Sequence, residues 1–320
     1  MGKFFYTQCA CVLFDSAPAL DDVERALEGW ALAARQAPAP GEDGWMACGP
    51  GFVVDLSGGG SVIVDLLDRP WPDDPLAVSK DPVLEAAWRS GQFGPTSAPG
   101  ALARARTHGW SWDQGTAAAE RHRALLRLRT VVELGTDAPG EALKGHDPVH
   151  ELTMLTEMAG GLLGLPGASA LFLPGGEALR SPEQIRAVLR RKAGSGPPPI
   201  DLWLNLRAVG LGQEGDNRWS IVDVVGMGQL RLPDQEALFG EEQERGDGVV
   251  PLLRYACTHL VSGNGIADGS TVEDLRGGLW TATSATGVLA PNRSVLRWLP
   301  QKGARPSEEF LARLSSARQP

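Results

Sequence analysis

Helix start signals alternate with short strand-like runs along this chain, and this alternation restricts the fold more than any other feature of the sequence. Asp81-Pro82, Asp147-Pro148 and Ser181-Pro182 each place a side-chain oxygen before a proline, the pattern of an N-cap followed by the first helical residue. Residues 126–134 instead change side-chain type with a period of two, which is typical of a strand with one covered face. Helices and strands interleaved in this way predict an α+β fold.

We expect two related subdomains, each with a mixed or antiparallel sheet and helices packed on one face. Two passages, which begin at Ser61 and Ser220, share the order of strand, loop, Pro-Asp, acidic stretch and helix. This echo favours a diverged duplication, and chance repetition is the alternative. Residues 91–115 lack periodicity and are rich in Gly, Ser, Pro and Thr, so we expect the boundary there. The predicted segments are an N-terminal subdomain at 1–115, a C-terminal subdomain at 116–290 and a basic extension with a short helix at 291–320.

Local patterns also predict individual elements. Apolar residues at helical spacing after Asp21 predict a helix that reaches Ala34. Ser181-Pro-Glu-Gln184 is a capping box, and the helix that it opens ends in Arg190, Arg191 and Lys192, where the helix dipole favours cations. This is the best-specified helix of the chain.

Composition excludes several functional classes. Of the 320 residues, 42% are hydrophobic and 22% are charged, so the chain can bury a substantial core. Its net charge of −9 opposes sequence-independent nucleic-acid binding, which requires a basic surface, and favours basic partners. No apolar run reaches the roughly 18 to 20 residues of a membrane helix, and polar residues from Tyr6 interrupt a signal-like N-terminus. We therefore expect a soluble, cytoplasmic protein that binds neither nucleic acid nor membranes.

The cysteines are too few and too scattered for a disulfide framework in a chain of this length; they are Cys9, Cys11, Cys48 and Cys257. The first two share one face of a predicted strand, but no second pair of Cys or His stands nearby to complete a zinc site. Buried free thiols in a reducing compartment are the expectation.

Two motifs raise the possibility of a cofactor or metal. Gly210-Leu-Gly-Gln-Glu-Gly215 matches the dinucleotide pattern G-x-G-x-x-G, but a strand rather than a helix follows it, so a hairpin loop and no cofactor are expected. His146, Asp147, His150 and Glu151 combine imidazoles with carboxylates, as zinc sites do. The competing interpretation makes Asp147 an N-cap, which leaves His146 outside the helix, and makes Glu151 a partner of the helix dipole.

Five segments, in order along the chain, resemble the bacterial family called domain of unknown function 4261. The segments are residues 147–157, 169–175, 199–206, 226–233 and 256–272. The resemblance rests on order and apolar pattern and covers about half of the chain. It implies an α+β bacterial protein without an assigned reaction or catalytic residues. Proteins that resemble this family sometimes accompany secreted-toxin and contact-dependent competition systems, which suggests an immunity or adaptor role.

We therefore expect a non-catalytic protein-binding protein, an immunity or adaptor protein that acts on a secreted toxin or effector. An acidic run would steer a basic partner, and tryptophans in loop-like sequence would anchor it; these residues are Glu241, Glu242, Glu244, Asp247, Trp110 and Trp112. A solvated acidic surface and core tryptophans are the structural alternatives. The alternative function is a metal-dependent hydrolase that uses His146, His150 and Glu151.

Overall fold

A computed structural model describes residues 3–37, 45–46, 49–56, 60–109, 112–134, 146–192, 197–240 and 246–317. The chain divides into two compact units, Met1–Trp203 (unit 1) and Leu204–Pro320 (unit 2). Each unit combines helices with one sheet, which confirms the predicted α+β class.

Unit 1 is built on a seven-stranded sheet in the order β2-β3-β4-β5-β1-β6-β7, and all its neighbouring strands are antiparallel. The strands are β1 Lys3–Phe14, β2 Leu32–Gln36, β3 Gly51–Asp55, β4 Ser61–Leu67, β5 Ala124–Leu134, β6 Ala168–Leu173 and β7 Ala178–Arg180. The helices are α1 Leu20–Ala26, α2 Pro75–Lys80, α3 Pro82–Arg89, α4 Ala101–Thr107, α5 Gly115–Arg121, α6 Pro148–Leu162, α7 Pro182–Lys192 and α8 Ile200–Trp203.

The predicted helix starts are confirmed. Asp81 and Asp147 each accept hydrogen bonds from two backbone N–H groups of the first turn that follows them. Ser181 and Gln184 make the reciprocal bonds of a capping box, at 2.9 and 3.1 Å. The helix that opens near Asp21 is shorter than predicted, because residues 32–36 pair with β3 as an edge strand instead of continuing it. Tertiary pairing here overrides a local helical pattern.

Helices cover both faces of the unit 1 sheet. The long helix α6 packs against β1 and β5 on one face. The alternate β1 residues Cys9, Cys11 and Leu13 point the other way, into a core formed with α2–α5. Trp71 lies in this second core, in edge-to-face contact with Phe93 at a centroid distance of 5.1 Å. Both faces of the central strand β1 are therefore covered by packed side chains.

Unit 2 is built on a six-stranded mixed sheet in the order β11-β12-β13-β10-β9-β8, in which only the β10–β13 pair is parallel among the described residues. Its elements are β8 Asn205–Glu214, β9 Asn217–Val225, β10 Asp234–Gly240, α9 Gly246–Val261, β11 Thr271–Glu273, β12 Leu279–Thr286, β13 Ser294–Pro300 and α10 Glu308–Ala317. The long helix α9 packs against β9 and β10. The helix α10 contributes Phe310 and Leu311 to a hydrophobic core of unit 2, which also contains Ile221 and Leu238.

The structure places the division between the units at residues 203 and 204 rather than near residue 115. Hydrogen bonding explains the difference: β5 lies beyond the predicted boundary, yet it pairs with both β1 and β4. The predicted extension at 291–320 also belongs to unit 2, because β13 lies between β10 and β12 in the sheet. Only its short helix, α10, agrees with the prediction.

Candidate functional site

The predicted metal ligands do not converge. His146 Nε2 lies 2.9 Å from Glu151 Oε2, and both side chains are largely buried. His150 is exposed, and Asp147 is occupied as the N-cap of α6. Among the residues that the structure describes, no group of three or more His, Cys, Asp or Glu side chains is placed to hold a metal ion. The ligand set required by the hydrolase hypothesis is therefore not assembled.

The Glu151 carboxylate instead joins α6 to the sheet. Its Oε2 accepts hydrogen bonds from Thr7 Oγ1 at 2.7 Å and Thr130 Oγ1 at 3.1 Å, so β1 and β5 both contact the first turn of α6. His146 Nε2 approaches this carboxylate without hydrogen-bond geometry, since within the described residues neither ring nitrogen has a hydrogen-bond partner. This cluster has an evident structural role.

A second set of buried charges crosses the other face of the unit 1 sheet. Asp65 on β4 lies in register with Arg127 on β5, and its carboxylate contacts Arg127 at 2.7 Å and Arg129 at 3.1 Å. All three side chains are fully buried. Burial opposes ionisation of Asp65, but the two guanidinium groups outweigh it and lower the pKa of the carboxyl group. Asp65 is therefore a buried anion that compensates two cations.

Unit 2 carries a longer row of charges, formed by register pairing across four strands. Each strand contributes one residue to this row: Arg207 on β8, Asp223 on β9, Glu236 on β10 and Arg297 on β13. Arg207 contacts Asp223 at 2.6 Å, and Arg297 contacts Glu236 at 2.6 Å. Asp223 and Glu236 are fully buried. A line of ion pairs therefore runs across the sheet.

Arg293 attaches the loop between β12 and β13 to this row. It bonds Asp234 at 2.6 Å and also contacts Asp223. Burial raises the pKa of Asp234 and of Glu236, whereas at Asp223 the two arginines outweigh burial and lower the pKa. Arg293 and Arg297 belong to the segment predicted as a basic extension, but they neutralise carboxylates of the sheet.

The three thiols that the structure describes lie in protein interiors, as predicted. Cys9, Cys11 and Cys257 are free and buried, and Cys48 lies outside the described residues. Burial raises the pKa of the Cys11 thiol well above its usual range, and its neighbour Cys9 adds to the effect. A thiol held protonated in this way is a poor nucleophile and a poor metal ligand.

The predicted partner-binding residues fall largely outside the part of the chain that the structure describes. Glu241, Glu242, Glu244 and Trp110 lie outside it, and Asp247 is described only as part of the α9 backbone. Trp112 is partly buried and packs against the α2–α5 core. The acidic patch and the tryptophan anchors therefore stay predictions, with Trp112 placed against a core.

Exposed apolar side chains on α2 and α3 form a surface that sequence reasoning missed. Leu76 on α2 is 68% exposed, Val83 on α3 is 42% exposed, and Met46 is 40% exposed. Ser90, at the end of α3, approaches Met46 Sδ at 4.0 Å, and Val83 lies two helical turns earlier on the same side. We call the exposed outer side of the neighbouring helices α2 and α3, which carries Leu76 and Val83, together with Met46 beside Ser90, the α2–α3 surface.

A sequence signal for this surface was present. Leu76 and Val83 both follow an Asp-Pro helix start, and the stripe that faces the core of α3 begins one residue later, at Leu84. Val83 therefore stands outside the buried stripe, a position where a polar residue is the usual choice. Unit 2 has its own exposed apolar side chains, which are Tyr255, Leu275 and Leu279.

Comparison with known proteins yields no relative. No family model matches the chain, and neither a curated protein nor a solved structure matches it. The resemblance to domain of unknown function 4261 therefore stays a prediction. Within the described ranges, no helix has the length and apolar character needed to cross a membrane.

Proposed function

We propose that this chain is a protein-binding protein and that its partner docks on the α2–α3 surface. The observation that carries the proposal is the exposure of two large apolar side chains, Leu76 on α2 and Val83 on α3, on helices with fixed starts. Isolated exposed apolar residues are ordinary, but a group on one surface marks an interaction site more often. A second copy of the chain would be a different occupant of the same surface.

The local structure supports the proposal because both helices are held in place before any partner arrives. Asp74 caps α2 through a bond to the Leu76 N–H at 2.9 Å, and Asp81 caps α3. Beneath them, Val78 and Leu84 are buried in the α2–α5 core. Apolar side chains presented on such a rigid base lose little conformational entropy when they are covered.

The charge of the chain indicates the chemistry of the partner. Asp74 is exposed at the start of α2, Glu85 is exposed on α3 in an ion pair with Arg89, and the whole chain has a net charge of −9. A basic protein would be attracted to this side by long-range electrostatics. The role suggested by the family resemblance, an immunity or adaptor protein that binds a toxin or effector, fits such a partner.

Site-specific photo-cross-linking tests the proposal in the cell that produces the protein. A photoreactive amino acid at position 76 is expected to capture one defined protein, and the same group at position 279 in unit 2, also an exposed leucine, is the matched control. The captured protein is then purified and titrated against the unmodified chain. Adducts that are the same at both positions would contradict docking at the α2–α3 surface.

The titration has a quantitative expectation. Leu76→Ser removes an exposed side chain whose burial is worth about 1–2 kcal/mol, so the Kd is expected to rise about five- to thirtyfold. Leu279→Ser makes the same chemical change in unit 2 and is expected to leave the Kd unchanged. An equal effect of the two substitutions, or no effect of Leu76→Ser, would refute the proposed surface.

A further inference from the structure

The end of α7 carries an exposed group of arginines on an otherwise acidic protein. Arg186, Arg190 and Arg191 are all exposed, and we call them the arginine cluster. Lys192 follows them directly in the sequence, and Glu183 is the only acidic residue of this helix. A chain with a net charge of −9 therefore presents a short, strongly basic helix end.

The packing of α7 holds the cluster toward solvent. Ile185 is fully buried. Gly160 of α6 approaches Leu189 so closely that an added Cβ would clash with Leu189 Cδ1, which places this side of α7 against α6. Arg186 and Arg190 stand four residues apart and so share a different face of the helix.

Within the described part of the chain, intramolecular partners leave most of the positive charge of the cluster uncompensated. Arg186 contacts Glu183 at 3.4 Å, but both side chains are well exposed, so the contact is weak. Arg191 donates from Nε to the carbonyl oxygen of Ala187 at 3.3 Å. Among the described carboxylates, none forms an ion pair with Arg190 or Arg191.

Favourable interaction with the helix dipole explains cations at this position but does not require three guanidinium groups. Arginine presents a planar set of donors that matches a carboxylate with two parallel hydrogen bonds. A helix end with several such groups is suited to a ligand that offers several carboxylates. Charge complementarity thus identifies the class of ligand.

We propose that the arginine cluster is a docking surface for an acidic segment of a protein partner. The five residues from Arg186 to Arg190 span about 6 Å along the helix axis, which suits a short run of Asp and Glu side chains. A nucleic acid is disfavoured because it would extend from this small basic area over an acidic protein. This surface is separate from the α2–α3 surface, and its proposal does not depend on that surface.

Binding of a labelled oligo-glutamate peptide to the full chain tests the proposal by fluorescence anisotropy. Saturable binding is expected at low ionic strength, with weaker binding as salt is added, because exposed charges are screened. Arg190→Gln combined with Arg191→Gln is expected to raise the Kd about three- to tenfold. Circular dichroism shows whether the variant keeps its helices.

A matched control makes the same change at other helix ends. Arg89 and Arg121 are exposed arginines in the last turns of α3 and α5, and their double substitution by Gln is expected to change the Kd less than twofold. Equal losses in the two variants would overturn the proposal, as would failure of the unmodified chain to bind the peptide. Tighter binding of a single-stranded oligonucleotide of equal charge would also overturn it and would assign the cluster to nucleic acid.

Discussion

Replacement of Asp65 by Asn tests whether the buried charges of unit 1 hold its sheet together. The change keeps the shape of the side chain but removes the negative charge, so Arg127 and Arg129 stay buried and lose the carboxylate that both contact. Loss of one member of a buried ion pair costs about 3–5 kcal/mol. This is a large part of the 5–15 kcal/mol that stabilises a typical domain.

Urea unfolding followed by tryptophan fluorescence measures the loss. If the free energy of unfolding falls by about 2 kcal/mol per molar urea, the urea midpoint of Asp65→Asn is expected to lie about 1.5–2.5 M below that of the unmodified protein. Asp55→Asn is the control, because Asp55 is an exposed carboxylate on the adjacent strand β3 whose contact with Ser61 is also exposed. The control is expected to stay within about 0.5 kcal/mol of the unmodified protein.

The difference in free energy of unfolding between the unmodified protein and Asp65→Asn depends on pH, and this dependence provides a second check. The pKa of Asp65 is lowered in the folded state, so its contribution is fully present above the unfolded value of about 3.9 and is lost as pH falls through the folded pKa. The gap in stability is thus expected to be constant from about pH 5 to 8 and to narrow below about pH 4. A shift in midpoint no larger than that of Asp55→Asn would refute this account of the buried cluster.

Two further changes are expected to affect stability. His122 Nε2 accepts a hydrogen bond from the Trp71 N–H at 2.9 Å, and burial lowers the pKa of this histidine. The free energy of unfolding is therefore expected to fall as pH drops below the unfolded pKa of about 6.5. In His122→Gln, the thermal unfolding midpoint is expected to lack this contribution to its pH dependence between about pH 7 and 5. Gly278→Ala is expected to cost about 1–3 kcal/mol in urea unfolding, because its Cβ would lie 2.6 Å from Asp274 Oδ2, whereas Gly210→Ala, with open space around the added atom, should cost less than about 1 kcal/mol.

The local elements of the fold were predictable where short-range chemistry decides them. Asp147 and Ser181 mark helix starts through bonds to residues two or three positions away, and both predictions are confirmed. Residues 32–34 were predicted as the end of a helix because the apolar spacing after Asp21 is helical. They form part of an edge strand because β3, about 20 residues later, offers backbone partners that no local pattern reveals.

The buried charges could not be predicted, because they depend on strand register. Asp65 meets Arg127, and Asp223 meets Arg207, only once β4 pairs with β5 and β8 with β9. The two echoing passages do share an Asp, and in both units it is a buried partner of an arginine on the adjacent strand. The two sheets differ in strand order, so the duplication stays a prediction.

The candidate surfaces illustrate a different limit of sequence reasoning. Exposure is a property of the folded chain. Leu76 and Val78 are both apolar residues of α2, but Val78 is buried and Leu76 is exposed to solvent. The predicted acidic contacts were chosen by charge alone and fall mostly outside the described residues. A search for apolar residues outside the buried stripe of a well-capped helix would have found Val83.

Hydrogen–deuterium exchange is the most direct test of docking on the α2–α3 surface. The experiment compares the chain alone with the chain saturated by the purified protein that position 76 captures. We expect exchange to slow in peptides that cover α2 and α3 and to stay unchanged in the β11–β12 hairpin of unit 2. Slower exchange only in the hairpin, or no change in any peptide at saturation, would contradict the proposed function.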